Sequence, residues 1–175
     1  MIFTALFAAL IFIATTYLKL PLPFMGYVHL GDSLIFLAAT LLAPTYACAA
    51  AIGSGLADVI GGFPQYALVT ILLKDLTALC FSARQEKCIK ARNIIALIPA
   101  IMINAGGYYL FEVFLYGGFI PPLANLPFNV MQSVINGIIF VLIGMIIDKT
   151  KRLSDIFVGI RPAKKINNTE QDKRL

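Results

Sequence analysis

Long apolar runs separated by short polar breaks dominate this chain. They predict six membrane spans at about 2–18, 32–44, 46–61, 66–82, 94–115 and 128–147. Runs of about 17–25 apolar residues are long enough to cross the hydrocarbon core of a bilayer. The second and third runs are shorter and are joined by "APTY", where we expect Pro44 to end the second helix. The predicted fold class is an all-α membrane protein, a six-transmembrane-helix bundle.

The composition agrees with this interpretation. Hydrophobic residues make up 59% of the 175 residues and charged residues only 13%, whereas roughly a quarter of a soluble domain is charged. Six spans leave no room for a second folded domain. We therefore expect one transmembrane domain at 1–148, followed by a basic cytoplasmic tail at 149–175.

Basic residues cluster in two places and predict the orientation. The loop "ARQEKCIKAR" between the fourth and fifth spans carries four of them, and eight follow the sixth span. Cytoplasmic segments of membrane proteins are enriched in Lys and Arg, so both segments and both termini are expected inside the cell. The net charge of +5 thus reflects topology, and it does not indicate a nucleic-acid-binding face.

Polar side chains recur at helical spacing in four of the predicted spans. Residues three, four and seven apart share one face of a helix. The stripes, from the third span to the sixth, are Ser54 and Asp58; Tyr66, Thr70 and Lys74; Asn104, Tyr108 and Glu112; and Asn129, Gln132 and Asn136. Most of these residues fall in the outer half of the membrane, above an apolar floor. They predict a ligand pocket that opens outwards.

A second interpretation of the stripes stays open, because amides and hydroxyls also hydrogen-bond between helices as structural contacts. Lys74 bears on the choice between ligand binding and structural contacts. A charge at the centre of a span costs about 2.5–3.5 kcal/mol on insertion scales, so it needs a partner. Lys74 either contacts a ligand or forms a buried ion pair with Asp58, Asp75 or Glu112.

The sequence offers little for catalysis. Its one histidine, His29, allows neither an HExxH zinc motif nor a Ser-His pair within a span. "HLGD" departs from the GxGD signature of intramembrane aspartyl proteases, because His29 replaces the first glycine. The three cysteines show no spacing typical of a metal site or a disulfide framework. We expect no catalytic residues, no metal and no cofactor.

The stretch "GYVHLGDSLIFLAATLLAPTYACAAAIGSGLADVIGGFPQYALVTILLKDLTAL" resembles the substrate-binding S components of energy-coupling factor (ECF) vitamin transporters. The likeness is strongest to the branch that contains riboflavin-type and hydroxymethylpyrimidine- or pyridoxine-type members. It rests on Gly26 to Asp32, on Ala51 to Asp58, and on Tyr66 and Lys74 in the fourth span. It implies a multi-pass protein of a prokaryotic plasma membrane that binds a vitamin or its precursor from outside.

The resemblance also implies roles for particular residues. Ala5 and Ala9 match an Ala-x-x-x-Ala row that docks S components on a transmembrane T component carrying two ATP-binding subunits. The 19–31 loop, with His29, Gly31 and Asp32, corresponds to a gate. The expected substrate-binding residues are Tyr27, Asp58, Tyr66, Lys74, Asn104, Tyr108, Glu112, Asn129, Gln132 and Asn136.

The ligand is expected to be a small heteroaromatic vitamin. The chain has no tryptophan, so tyrosine or phenylalanine would have to stack on it, and the modest polar set favours hydroxymethylpyrimidine or a pyridoxine-like vitamer. Riboflavin, pantothenate and a queuosine precursor are the alternatives. A different class of function also stays open: a stand-alone channel or proton-coupled carrier with Asp58, Lys74 and Glu112 as a relay, or a structural scaffold.

Overall fold

The computed structural model describes residues 2–21, 27–83 and 87–150. Arg84 of the basic loop and the tail from 151 onwards lie outside the described residues, as do the side chains of Pro21 and Tyr27. The elements are α1 (Ile2–Tyr17), β1 (Lys19–Pro21), β2 (Tyr27–His29), α2 (Gly31–Leu41), α3 (Pro44–Ile60), α4 (Ala67–Leu79), α5 (Ala91–Ile95), α6 (Leu97–Tyr116) and α7 (Leu126–Lys149). Single 3-10 turns occupy Pro64–Tyr66 and Pro121–Ala124.

Helices alternate in direction, so the bundle has two distinct ends. We call the end that carries β1, β2 and both 3-10 turns the hairpin end. The opposite end carries Lys87–Arg92 and Lys149, and we call it the basic end. Only Ala96 separates α5 from α6, and its backbone is itself helical. The two therefore form one long helix with a local irregularity.

Helix α2 lies at the centre of the bundle. It contacts α1, α3, α4 and α7, and every one of its residues except Leu34 is buried. Asp32 is the one charged residue in this helix. A carboxylate within a membrane protein needs polar partners from neighbouring helices, and the central position of α2 provides them for Asp32.

Helix α3 packs closely against α1 because small residues line the contact. A side-chain carbon on Gly53 would collide with the backbone carbonyl oxygen of Ala8. Ala57, one turn further along, is fully buried. Small residues allow helix backbones to approach in this way. The small residues of α3 therefore serve packing within the bundle.

Pro44 does not end a helix, as we had expected, but begins one. Helix α2 ends at Leu41, and Pro44 is the first residue of α3. Proline suits this position because the first helical N–H has no acceptor within the helix and the proline ring presets a helical φ.

The connection between α1 and α2 contains a two-stranded antiparallel ribbon that the sequence did not predict. Lys19 pairs with His29 and Leu20 with Val28. Strands of three residues are too short to show an alternating apolar pattern. The ribbon brings His29 and the start of α2 back over the top of α1, and it fixes the position of Asp32.

The outer surface of the bundle is apolar. Phe114 is 86% exposed, Leu68 81% and Met102 70%. Among the described residues, two helical stretches are long and apolar enough to cross a membrane: Ala91–Tyr116, which joins α5 and α6, and Pro121–Lys149, which joins the second 3-10 turn and α7. Ile2–Tyr17 and Gly31–Leu41 are shorter apolar helices. Large exposed apolar surfaces on a folded protein mark contact with lipid or a partner.

Candidate functional site

The most buried charged side chains form an ion pair between α4 and α2. The ammonium nitrogen of Lys74 lies 2.8 Å from Oδ1 and 3.0 Å from Oδ2 of Asp32. Both side chains are almost completely buried. Lys74 also lies above the Tyr108 ring, 5.2 Å from its centroid. The structure thus pairs Lys74 with Asp32, which we had assigned to the gate, and not with Asp58, Asp75 or Glu112.

Amides of α6 and α7 surround this ion pair. Lys74 donates a hydrogen bond of 2.7 Å to Asn104 Oδ1. The Asn104 amide nitrogen donates to Ser133 Oγ at 2.8 Å and to Asp32 Oδ2 at 3.3 Å. Gln132 Nε2 also donates to Asp32 Oδ2, at 3.3 Å. A buried charge is tolerated when it is paired and hydrogen-bonded, and this cluster meets both conditions.

The ribbon joins the cluster through His29. Asn136 donates to the His29 carbonyl oxygen at 2.8 Å and accepts from the Ser33 N–H at 2.9 Å. The ring of His29 accepts from the Gly31 N–H at 3.1 Å and contacts the Gln132 amide at 3.3 Å. Burial lowers the pKa of His29 to about 4, against the opposing effect of the nearby Asp32 carboxylate. His29 is therefore neutral at pH 7.

A second polar group lies closer to the hairpin end. Tyr66 donates to Glu112 Oε1 at 3.4 Å, and Asn125 donates to Glu112 Oε2 at 3.1 Å. The Tyr66 and Tyr116 hydroxyls are 3.1 Å apart. Aromatic rings pack around this carboxyl group, with Phe111 edge-on to Tyr66 at 5.2 Å between centroids. The group combines a carboxyl, an amide and aromatic faces, the chemistry that recognises a heteroaromatic ring with polar edges.

A hydrogen bond between two hydroxyl groups lies between these two polar groups. The hydroxyl oxygens of Thr70 and Tyr108 are 2.9 Å apart. The ring centroids of Tyr66 and Tyr108 are 6.4 Å apart. Two neighbouring helices therefore present a continuous polar face, from the ion pair up to Glu112. The sequence predicted this face for α4 and α6.

Three of the expected substrate-binding residues are less closely joined to these groups. Asp58 is buried in the last turn of α3. Asn129 is half-buried, and its backbone carbonyl accepts from Ser133 at 2.9 Å. Tyr27 belongs to β2, but its side chain lies outside the described residues. Their roles toward a ligand stay predictions.

Sequence reasoning missed several residues of the site. Ser133 and Asn125 make side-chain hydrogen bonds in this region, Ser33 contributes its backbone N–H, and Tyr116 contacts Tyr66. Ser133 follows Asn129 at a spacing of four, so helical periodicity could have included it. Asn125 precedes α7 in a loop, where periodicity gives no signal.

The expected docking row on α1 lies on the outside of the bundle. Ala5 and Ala9 are both exposed, and so are their neighbours Leu6 and Leu10. Their stripe faces away from α2 and α3. An exposed row can face either lipid or a partner protein, so its role in docking stays a prediction.

The chemistry of this region is that of hydrogen-bonding and aromatic groups. In the part of the chain that the structure describes, no three His, Cys, Asp or Glu side chains are placed to hold a metal ion. Acids, amides and aromatic rings instead line the interior of an apolar helical bundle. These features define a membrane protein with a buried polar region suited to binding a small molecule.

A comparison with known protein families identifies the family to which this membrane protein belongs. Residues 1–149 match the family described as "ECF-type riboflavin transporter, S component". The chain therefore belongs to the S components of ECF transporters, which are transporter subunits and not enzymes. No curated protein matched the sequence.

Proposed function

We propose that this chain is the substrate-capture subunit of an ATP-driven vitamin uptake transporter in a prokaryotic plasma membrane. Its family supports a role in vitamin uptake. The observation that carries the proposal is the interior polar face, running from the Lys74–Asp32 pair to Glu112 inside an otherwise apolar bundle. Charged groups within membrane spans mark substrate or ion pathways.

The proposed topology has six spans, with both termini in the cytoplasm. The spans are α1, α2, α3, α4, the α5–α6 helix, and α7. At about 1.5 Å per residue, the eleven residues of α2 cover only about 16 Å. Its burial by neighbouring helices supports the count, since a short span surrounded by protein need not match the bilayer thickness. In this topology the hairpin end faces outside and the substrate enters there.

Riboflavin is the first candidate ligand, because the matching family is described as a riboflavin transporter component. The aromatic rings of Tyr66, Phe111 and Tyr108 support an extended flat ring system, which could stack on them. Hydroxymethylpyrimidine or a pyridoxine-like vitamer is the second candidate. It is favoured by the compactness of the polar groups, which bond mainly to one another.

Direct binding measurements test the proposal. Isothermal titration of the detergent-purified chain with riboflavin, hydroxymethylpyrimidine and pyridoxine should give saturable one-to-one heat with riboflavin. Binding of either smaller molecule in its place would select the second candidate. If native mass spectrometry shows no co-purified ligand and no panel member binds, the proposal fails. Uptake by the chain alone in ATP-free vesicles would then favour the channel or carrier alternative.

Two substitutions locate the site. Glu112→Ala and Asn129→Ala are expected to weaken ligand binding by about tenfold to a hundredfold, because a hydrogen bond to a charged group contributes about 1.5–3 kcal/mol. Gln65→Ala is the matched control, since Gln65 is an exposed amide at the same end. Affinities unchanged in both variants would place the ligand elsewhere in the bundle.

The proposed partners are a transmembrane T component and two ATP-binding subunits. The exposed stripe with Ala5 and Ala9 supports a docking surface on α1. Small side chains there would let a partner helix approach closely.

A further inference from the structure

An apolar groove lies between α6 and α7 on the outside of the bundle. Its volume is about 300 Å³, and Leu97, Ile101, Gly137, Val141 and Leu142 contribute to its walls. Every residue that lines it is apolar. Gly137 leaves the space open, since a side-chain carbon there would lie 3.4 Å from the end of Leu97. The dimensions and lining suit part of an acyl chain.

Two lysines stand below this groove at the basic end. Lys149 follows Leu142 by seven residues on α7, and Lys90 precedes Leu97 by seven residues. On α7 that spacing places Lys149 on the same helix face as Leu142, about 10.5 Å further along the axis, whereas Lys90 is the extended residue immediately before α5. Lys149 is exposed and Lys90 is half-buried. The flexible stems of both side chains can extend along apolar surface to a headgroup at the interface.

Asp148 connects the loop that carries Lys90 to the last turn of α7. Its carboxylate oxygens accept hydrogen bonds from the backbone N–H groups of Cys88 and Ile89, at 2.8 Å and 2.9 Å. Ile89 also packs on α7 at Gly144. The residue before Lys149 therefore binds the two residues before Lys90. Because both oxygens accept backbone N–H groups, the carboxylate is oriented toward the loop backbone.

We propose that this groove and the two lysines form a binding site for an anionic phospholipid. An acyl chain occupies the groove, and the lipid phosphate lies between Lys90 and Lys149. The apolar lining selects the chain, while the paired positive charges favour an anionic headgroup over a zwitterionic one. The site lies outside the interior polar region, so it does not depend on the identity of the transported molecule.

Native mass spectrometry with defined lipids tests this site. The protein in a non-ionic detergent is titrated with phosphatidylglycerol or phosphatidylcholine carrying the same dioleoyl chains. A basic residue near an anionic headgroup contributes about 1 kcal/mol, or about fivefold in affinity. Phosphatidylglycerol should therefore bind at least about tenfold more tightly. Equal affinities for the two lipids would overturn the proposal.

Variants separate the headgroup contacts from the acyl-chain contacts. Lys90→Gln with Lys149→Gln should remove the preference for phosphatidylglycerol, whereas Lys87→Gln, an exposed lysine of the same loop, should keep most of it. Gly137→Leu fills the groove and should weaken the binding of both lipids. Gly106→Leu is its control, because a side-chain carbon there meets open space.

Two further results would contradict the proposal. One is a preference for phosphatidylglycerol that survives the double lysine substitution. The other is a dimer that Gly137→Leu converts to monomer without changing lipid binding, which would make the groove an interface between two copies. Inorganic phosphate is expected to give no adduct, since it lacks the chain. A phosphate adduct as strong as the lipid adduct would equally argue against a lipid site.

Discussion

At the scale of single residues, the sequence predicted which side chains are unusual but not how they pair. Helical spacing correctly placed Lys74, Asn104 and Gln132 on inward faces. It could not pair Lys74 with Asp32, because Asp32 begins a helix in a different part of the sequence, where a carboxylate is also explained by the helix dipole. The pairing depends on the stagger and rotation of α2 against α4, which only tertiary packing sets.

The ion pair gives a test at this scale. Lys74→Met and Asp32→Leu should each destabilise the protein by about 3–5 kcal/mol, since each leaves an uncompensated buried charge. The double variant should recover a large part of that loss. Thermal unfolding of the four proteins in the same detergent measures the coupling. Losses that simply add in the double variant would show that the two charges do not stabilise each other.

At the scale of elements, the helices were predictable and the ribbon was not. All six expected spans correspond to observed helices whose bounds agree to within a few residues, the fifth span to α5 and α6 together, since long apolar runs specify them. The second and fourth helices end earlier than expected, at Leu41 and Leu79. The β1–β2 pair arises from three-residue strands, whose pairing is set by the positions of α1 and α2. His29 is buried for the same reason.

His29 makes stability depend on pH. Its pKa falls from 6.5 to about 4 on burial, so the unfolded chain binds a proton more readily than the folded one. The stability that neutral His29 provides is complete above about pH 6.5 and is lost as the pH falls toward 4. At about 1.4 kcal/mol per pKa unit, the loss reaches about 3 kcal/mol.

His29→Gln is the control, because it removes the only histidine of the chain. The melting temperature of the variant should change less than that of the original protein between pH 7 and pH 4.5. If the melting temperatures of the two proteins fall by the same amount over this pH range, carboxyl groups and not His29 cause the acid sensitivity.

Helix α3 gives a second test at the element scale. Gly53→Ala should destabilise the protein by about 1–3 kcal/mol, because the added methyl group meets the Ala8 carbonyl oxygen. Gly106→Ala, in open space, should be neutral or stabilising by up to about 1 kcal/mol through helix propensity. Similar melting temperatures for the two variants would mean that α1 and α3 can separate at little cost.

At the scale of the whole molecule, an apolar exterior surrounds an interior that is polar in the half nearer the hairpin end. Composition alone predicted the exterior, since there are too few charged residues to cover a soluble surface. The outward direction of Ala5 and Ala9 was implied by the family resemblance but could not be predicted from spacing, because small residues occur both in internal contacts and in docking surfaces. The rotation of α1 on α3 decides between them.

Docking through α1 is testable separately from binding. Ala5→Leu or Ala9→Leu should abolish uptake in cells that also express the energising subunits, while leaving the affinity for ligand unchanged. Ala124→Leu, an exposed alanine at the hairpin end, should leave uptake intact. Loss of ligand affinity in the α1 variants would instead indicate that the substitutions disturb the bundle.

Asp148 has a mechanical consequence. By holding the backbone of Cys88 and Ile89, it ties the α4–α5 connection to the last turn of α7, and Asn93 adds bonds to Ser82 and Cys88. These bonds connect α4, the α5–α6 helix and α7 to one another at the basic end, and we call the three connected helix ends the base. Shear between them at the basic end is resisted, so we expect the bundle to deform at the hairpin end, by flexing of the ribbon and the two 3-10 turns. A torque applied to any helix of the base would turn all of them together.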